Sequence, residues 1–126
     1  MRETYHTDDA PAPAGAYSQA TSDGELVFTA GQVAVTPDGE SLVDEPTGVQ
    51  TEQVLQNVAA VLAEAGSDLE HVLKTTVFLE DIDDFQEMND AYDRFFDEDP
   101  PARSAIQAGG LPLGFGVEIE AVATKP

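Results

Sequence analysis

The chain has 126 residues, of which 41% are hydrophobic, and carries a formal net charge of -20 from 25 acidic and 5 basic side chains. This length and composition suit a globular protein with one hydrophobic core, and we assign residues 1–126 to a single domain. Cysteine is absent, which excludes disulfides, thiolate metal sites and a cysteine nucleophile. The charge disfavours nucleic acid or anionic membranes as partners.

The first third of the chain predicts short strands separated by loops. An N-terminal strand and a Pro/Ala/Gly loop fill residues 1–15, and a strand at 26–28 stops at Gly31 before 33–35 continue it. A glycine inside a strand pattern indicates a bulge or a close backbone approach. Turns are expected at SDG (22–24) and PDG (37–39).

Two helices are predicted from the spacing of apolar residues. The first has Thr47 as its N-cap, Gln50 as the partner in a capping box, and Gly66 as its stop signal. The second covers DDFQEMNDAYDRFF (83–96) and ends before a double proline. On its exposed face we expect an i,i+4 pair between Asp90 and Arg94.

Strands at 72–79, 103–108 and 117–124 complete an α+β pattern with roughly six strands. Two helices can cover only one face of such a sheet. The more apolar face of strand 72–79 is predicted to hold Leu73, Thr75, Val77 and Leu79. Its other face is half apolar, and we therefore expect the chain to self-associate.

Few side chains indicate chemistry on residue type alone. Arg103 suits a carboxylate ligand, because its planar guanidinium binds carboxylates through two hydrogen bonds, although a surface salt bridge is the alternative. Glu118 and Glu120 share a strand face, and either is a candidate general base if burial raises its pKa. A solvated strand face is the alternative for both. Asn89, on the apolar side of the second helix, needs a hydrogen-bond partner.

Several stretches together resemble the RidA (YjgF) family of enamine/imine deaminases. They are APAPAGAYSQA (10–20), LVFTAGQV (26–33), the segment 50–96, PPARSAIQAGGLP (100–112) and VEIEAVA (117–123). Their order and spacing match the family from end to end. The most specific part is PARS, followed at the right distance by VEIE.

The resemblance implies a chorismate-mutase-like α+β fold, with a roughly six-stranded mixed sheet covered on one face by two helices. It further implies a homotrimer with active sites between subunits. Family members hydrolyse reactive 2-imino and 2-enamino acids, such as 2-aminoacrylate, to 2-oxo acids and ammonia without a cofactor. Neither His6 nor His71 has a metal-ligand spacing, and no metal site is expected.

By position, the resemblance assigns Arg103 to the substrate carboxylate and Glu118 to positioning or activating water. Tyr17, Gly31 and Asn89 match pocket-lining positions. Ala105 occupies the site commonly held by cysteine, where a backbone N–H contacts the carboxylate.

Three alanines depart from the family pattern. Ala16 replaces the usual proline, Ala30 stands where serine is common, and Ala105 removes the thiol. Thiol chemistry cannot be essential here, and because the backbone N–H at 105 remains, Ala105 does not contradict the deaminase interpretation.

The distance between Arg103 and Glu118 raises a geometric problem. In a simple hairpin of 103–108 with 117–123, Glu118 lies opposite Gln107, which is ~13 Å along the strand from Arg103. One three-carbon substrate cannot bridge that distance closely. Either a bulge or another topology shortens it, or the two groups meet across a subunit boundary; we predict an inter-subunit site.

Three other functions fit parts of the pattern. A non-catalytic regulatory module of the same fold would bind a small carboxylate through Arg103 alone. RNA cleavage, attributed to some relatives, conflicts with the charge and the lack of a basic patch. A chorismate-mutase-type reaction is suggested only by analogy of fold.

The acidic residues are spread along the whole chain, and no apolar stretch reaches the ~20 residues of a membrane span. The N-terminus also lacks a signal-peptide core, and we expect a cytoplasmic protein. Lysine occurs only at Lys74 and Lys125. We interpret this bias as adaptation to a high-salt cytoplasm.

At ~1 M salt the Debye length is ~3 Å, and repulsion among exposed carboxylates is screened. We therefore expect the thermal unfolding midpoint to rise between low and molar KCl, as measured by circular dichroism. A midpoint that stays constant or falls would contradict the halophilic interpretation.

Overall fold

The computed structural model describes residues 1–126 and contains one mixed sheet of six strands. The strands are β1 (Glu3–Tyr5), β2 (Ala20–Ser22), β3 (Leu26–Thr29), β4 (Val72–Leu79), β5 (Ala102–Gln107) and β6 (Val117–Thr124). Their spatial order is β1-β2-β3-β6-β4-β5. β4 and β5 are parallel, and every other neighbouring pair is antiparallel.

Two helices, α1 (Thr47–Glu64) and α2 (Phe85–Asp93), cover one face of the sheet, which we call the helix face. Alternate residues of β6 show this most clearly. Four alternate residues of β6 are buried against core residues of the helices: Val117, Ile119, Ala121 and Ala123. The expected fold, a six-stranded mixed sheet under two helices, is confirmed. No helix is both long and apolar enough to cross a membrane.

The opposite face of the sheet, which we call the open face, carries no helix and exposes large apolar side chains. Phe28 is 44% exposed, Leu73 52% and Ile106 50%. Leu73 was predicted on the buried side, and this prediction is wrong. The register shifts between Val72 and Lys74, and this irregularity reverses the alternation, so that Val72 is buried instead.

Two predicted elements are shorter than the sequence indicated. Residues 33–35 form no strand; Gln32 makes a single bridge with Ile119. The second helix ends at Asp93 rather than at 96, and the chain continues in turns in which the N–H of Phe95 donates to the carbonyl of Tyr92 at 3.0 Å. The rings of Tyr92 and Phe96 lie 4.7 Å apart.

The expected pair between Asp90 and Arg94 does not form. The carboxylate of Asp90 accepts a hydrogen bond from Gln86 at 2.9 Å. Arg94 instead lies 3.8 Å from a carboxylate oxygen of Glu52 on α1, and both side chains are well exposed.

The N-terminus of α1 is capped by α2 and not by the predicted capping box. Pro46 occupies the N-cap position, and no side chain there accepts a hydrogen bond. The backbone N–H of Gly48 donates to the Glu87 carboxylate. Gln50 instead bonds its amide to the carbonyls of Val43 and Glu45 and accepts from the N–H of Gly116. At the other end Gly66 has a φ of 82°, which confirms it as the stop signal.

We expect Glu87→Ala to lower the free energy of unfolding by about 1 kcal/mol, because an N-terminal helix N–H loses its acceptor and the helix dipole loses a carboxylate. Urea denaturation followed by circular dichroism measures this change.

Glu64→Ala is the matched control, since it removes the same charge at the last residue of α1. A carboxylate near a helix C-terminus is unfavourable, and this variant should be as stable as the parent or more so. Equal urea midpoints for the two variants would show that Glu87 contributes no cap.

Candidate functional site

Arg103 and Glu118 lie on opposite faces of the sheet. β4 separates β5 from β6, so the two strands do not form a hairpin. Arg103 pairs with Thr75 across β4–β5, and Glu118 pairs with Phe78 across β4–β6. Paired residues of neighbouring strands point to the same face, and successive residues of one strand alternate. Arg103 therefore faces α2 with Thr75, whereas Glu118 lies on the open face.

Arg103 is held by three side chains of α2, a group that we call the Arg103 clamp. Its Nη1 donates a 2.9 Å hydrogen bond to Oδ1 of Asn89. The guanidinium carbon lies 4.7 Å from the ring centre of Tyr92 and 5.4 Å from that of Phe85. Residues 85, 89 and 92 share a helix face because they are spaced by four and three positions. Cation–π contact with two rings favours the charged guanidinium in this place.

No carboxylate of the chain pairs with Arg103. The salt bridges involve other basic groups, such as Lys125 with Glu3 at 3.3 Å. Arg2 and Lys74 also make no salt bridge, but Arg103 differs from them because side chains of α2 hold its guanidinium in place. The alternative of a surface salt bridge is wrong for Arg103, and its guanidinium keeps donors for another ligand.

The clamp is itself anchored to β4. The hydroxyls of Tyr92 and Thr75 are 2.7 Å apart and buried. Burial raises the pKa of Tyr92, while its hydrogen bond to Thr75 and the charge of Arg103 act in the opposite direction. Tyr92 is therefore a neutral phenol at physiological pH. Its hydrogen bond to Thr75 fixes its ring relative to β4, the strand that neighbours Arg103.

Glu118 lines a cavity of about 430 Å³. Its walls come from residues 11–19, 30–35 and 112–118, and we call it the Glu118 cavity. Tyr17, Gly31 and Glu118 line it together. Arg103, Asn89 and Ala105 do not. The chain thus divides the six expected site residues into two groups on two faces.

Glu118 has a raised pKa, first because burial disfavours its charged form and second because Glu120 repels it. Gly31 makes the position of Glu118 possible. A Cβ built at Gly31 would overlap the carboxylate and lie 2.8 Å from Cδ of Glu118. The close backbone approach indicated by this glycine is therefore observed, and any other residue there would displace the carboxylate.

Gln19 is a supporting residue that the sequence did not indicate. Its buried side chain accepts from the N–H of Thr7 at 2.7 Å and donates to the carbonyls of Thr7 at 3.1 Å and Pro11 at 2.9 Å. These bonds hold the loop that forms one wall of the Glu118 cavity. A glutamine in a short polar stretch does not by itself indicate a structural role, because its hydrogen-bond partners lie up to 12 positions away in sequence.

The loop on the other side of the cavity contains strained backbone. Leu113 has a φ of 57° and is the chain's one non-glycine residue with positive φ. The left-handed conformation costs a residue such as leucine about 1–2 kcal/mol. Leu113 nevertheless lies at the cavity mouth with 86% of its surface exposed.

The three departing alanines have different surroundings. Ala30 lines the Glu118 cavity, and Ala16 lies on an exposed loop. Ala105 lies on β5 opposite Val77, and β5 is the edge of the sheet. Along an edge strand, half of the backbone groups lack partners in the sheet. No three histidine, aspartate or glutamate side chains come together as a metal-binding group.

The fold and these residues define a small α+β protein with an arginine clamp on one sheet face and a carboxylate cavity on the other. The sequence pattern of the Endoribonuclease L-PSP family matches residues 7–125. A RutC family protein of Pyrococcus horikoshii is 43% identical over 125 residues, which are 99% of each chain. The chloroplastic Reactive Intermediate Deaminase A of Arabidopsis thaliana is 42% identical over 98% of this chain and 66% of that protein.

The fold also matches that of solved structures. The crystal structure of E. coli TdcF with bound serine has a TM-score of 0.92 and 37% identity, and the match covers 98% of this chain and 99% of that chain. The chain belongs to the RidA (YjgF) family.

We expect Glu118 to titrate above the usual glutamate range when its side-chain carboxyl is followed by NMR. Glu120→Gln should lower this pKa only in part, because burial is the larger cause. A Glu118 titration at the ordinary glutamate pKa of about 4.3 would contradict this assignment.

The same shift predicts a pH-dependent effect on stability. Since the folded-state pKa exceeds the unfolded one, stability is full below the unfolded pKa and is lost as pH rises through the folded pKa. Glu118→Gln should therefore raise the unfolding temperature at pH 7 and leave it almost unchanged at about pH 4. An equal change in unfolding temperature at both pH values would show that ionisation of Glu118 does not destabilise the fold.

Proposed function

We propose that the protein hydrolyses reactive 2-imino and 2-enamino acids, such as 2-aminoacrylate, to 2-oxo acids and ammonia. This is the reaction of a 2-iminobutanoate/2-iminopropanoate deaminase. The observation that carries the proposal is Arg103, an arginine without an acidic partner in a chain of net charge -20. The clamp of Asn89, Tyr92 and Phe85 orients its guanidinium. A small carboxylate supplies the missing partner.

In this proposal Arg103 binds the substrate carboxylate, helped by the backbone N–H of Ala105. The enamine tautomerises to the imine, and a water molecule attacks the imine carbon. Glu118 accepts a proton from that water and passes it to the imine nitrogen, which gives a carbinolamine. The carbinolamine hydroxyl then loses its proton to the nitrogen through the same carboxyl group, the C–N bond breaks, and ammonia leaves as the C=O bond of the 2-oxo acid forms. A carboxyl group whose pKa is raised by burial and by the neighbouring Glu120 is a better proton acceptor in this exchange than an ordinary glutamate. Tyr17 and Gly31 complete the wall beside the water.

The orientation of Arg103 and Glu118, which point away from each other across the sheet of one chain, supports a site shared by two subunits. One small substrate cannot contact both side chains of a single chain. We propose a homotrimer in which Arg103, Asn89 and Ala105 of one subunit face Tyr17, Gly31 and Glu118 of the next. The half-exposed apolar residues of the open face support such an assembly, since burying Phe28, Leu73 and Ile106 would favour it.

The related TdcF structure contains bound serine, which supports a small 2-amino or 2-imino acid as the ligand here. The same observation suits a regulatory module that binds such acids without converting them. The two functions differ in one product. Only a deaminase releases pyruvate from freshly generated 2-aminoacrylate faster than the spontaneous hydrolysis.

RNA cleavage is the function named in the matching family pattern. The net charge of -20 from 25 acidic and 5 basic residues opposes it. Arg103 is engaged by Asn89, and Lys125 by Glu3 and Tyr5. Without a basic surface to neutralise phosphates, binding of a polyanion is unfavourable.

The test is pyruvate release from enzymatically generated 2-aminoacrylate at high salt, measured above the spontaneous rate. We expect Arg103→Ala to raise KM about 10- to 100-fold through the lost charged hydrogen bonds. Glu118→Ala should lower kcat about 100-fold. Arg94→Ala is the matched control, because it removes an arginine that is 65% exposed and only loosely paired. Unchanged activity in Arg103→Ala would refute its role.

Mixing the two impaired variants, assayed at a substrate concentration below KM of the parent, tests the shared site. If Arg103→Ala and Glu118→Ala chains are refolded together in equal amounts, about one quarter of the sites in a cyclic oligomer receive both intact residues from different chains. Activity should recover to about that fraction. A mixture as inactive as its components would show that each site uses a single chain.

A further inference from the structure

The loop between β5 and β6 holds a leucine in a conformation that favours glycine. Leu113 has φ 57° and ψ 18°, between Pro112 and a glycine that also has positive φ. Glycine would adopt this conformation without steric cost, and the neighbouring sequence GGLPLGFG uses glycine freely. The turn alone therefore does not explain a leucine at position 113.

Burial does not explain the leucine either. Its side chain is 86% exposed, whereas Phe115, two residues later, is 1% exposed and belongs to the core. Phe115 anchors the loop, whereas the rest of the chain covers little of the Leu113 side chain. Strained residues that the surrounding structure holds in place cluster at ligand sites.

The loop is held at both ends, so that Leu113 has a defined position. The N–H of Leu111 donates to the carboxylate of Glu80 at 3.0 Å, and the N–H of Gly116 donates to Gln50 at 2.9 Å. Between these two bonds Leu113 reaches the mouth of the Glu118 cavity. Its side chain is thus held next to the space where the proposed substrate meets Glu118.

The wall of the cavity near Leu113 is largely apolar. Alongside the polar groups of Glu118 and Tyr17, it includes Pro11, Val33 and Pro112. A substrate whose carboxylate is bound by Arg103 of another subunit would place its side chain against this wall. An aliphatic side chain would lose water there, and Leu113 would cover it.

We infer that Leu113 is a specificity-determining residue, which closes over the aliphatic side chain of a 2-imino acid bound in the Glu118 cavity. This inference rests on the proposed deaminase function. The aliphatic side chain does not change during the reaction, and a contact made equally in the ground state and the transition state affects KM and leaves kcat unchanged. Leu113 therefore acts through KM for long aliphatic substrates and has little effect on the smallest one.

The test compares the imines formed from leucine and from alanine by an L-amino-acid oxidase, with 2-oxo acid release as the readout. In Leu113→Gly and Leu113→Ala we expect kcat/KM for the leucine-derived imine to fall about tenfold, through KM. For the alanine-derived imine it should change less than about twofold. Val49→Ala, which truncates another exposed apolar residue on α1, should leave the ratio of the two substrates unchanged.

The two variants separate strain from contact. Leu113→Gly relieves the left-handed strain and should unfold at a higher temperature than Leu113→Ala, yet both should lose the same selectivity. An unchanged substrate ratio in both variants, with an active parent, overturns the role of Leu113 alone. A parent inactive on both imines overturns the proposed function and this role with it. A variant that dissociates in light scattering assigns Leu113 to a subunit contact and also overturns the inference.

Discussion

The alternation of side chains across β4, β5 and β6 is the constraint on which the rest of the site depends. β4 lies between the other two strands, and its pairings place Arg103 on the helix face and Glu118 on the open face. The same alternation buries Val117 and Ile119 beneath the helices. Glu118 cannot turn towards Arg103 unless β6 slips by one residue, and such a slip would expose its apolar set. The same alternation of side chains therefore both forms the hydrophobic core and separates Arg103 from Glu118.

Helix α2 links the stability of the fold to the orientation of Arg103. One face of this nine-residue helix presents Asn89 and Tyr92 to Arg103. Its Glu87 accepts a hydrogen bond from the first turn of α1. Because the helix is short, it is not expected to be stable alone. Its position depends on Met88, which is completely buried in the core.

The Glu118 cavity is built differently, from loops held by buried amides. Gln19 fixes the wall that leads to Tyr17, and Gln50 fixes Gly116 at the start of β6. Gly31 lets the backbone approach the carboxylate. These residues keep Glu118 half buried, which is what raises its pKa. The Glu118 cavity and the Arg103 clamp lie on opposite faces of one chain, which is why we propose that a second chain completes the site.

The sequence by itself determined the class of the fold, the family, and the residue types available for chemistry. Local patterns were sufficient for this: helical spacing for α1, β-branched residues for β4, and PARS and VEIE for the family. Local signals failed where the partner was distant. The capping box of Thr47 and Gln50 was replaced by Glu87, 39 residues from Gly48, and Leu73 left the buried face at an irregularity in the sheet. The role of Gln19 was likewise invisible.

Only the tertiary structure decided how the site residues are divided. The sequence placed Arg103 and Glu118 close together in the chain and suggested a hairpin, whose distance problem pointed to a second subunit. The structure inserts β4 between their strands and turns the two side chains to opposite faces. Strand order is set by burial of apolar faces over the whole sheet, a non-local property, and no spacing within 103–118 encodes it.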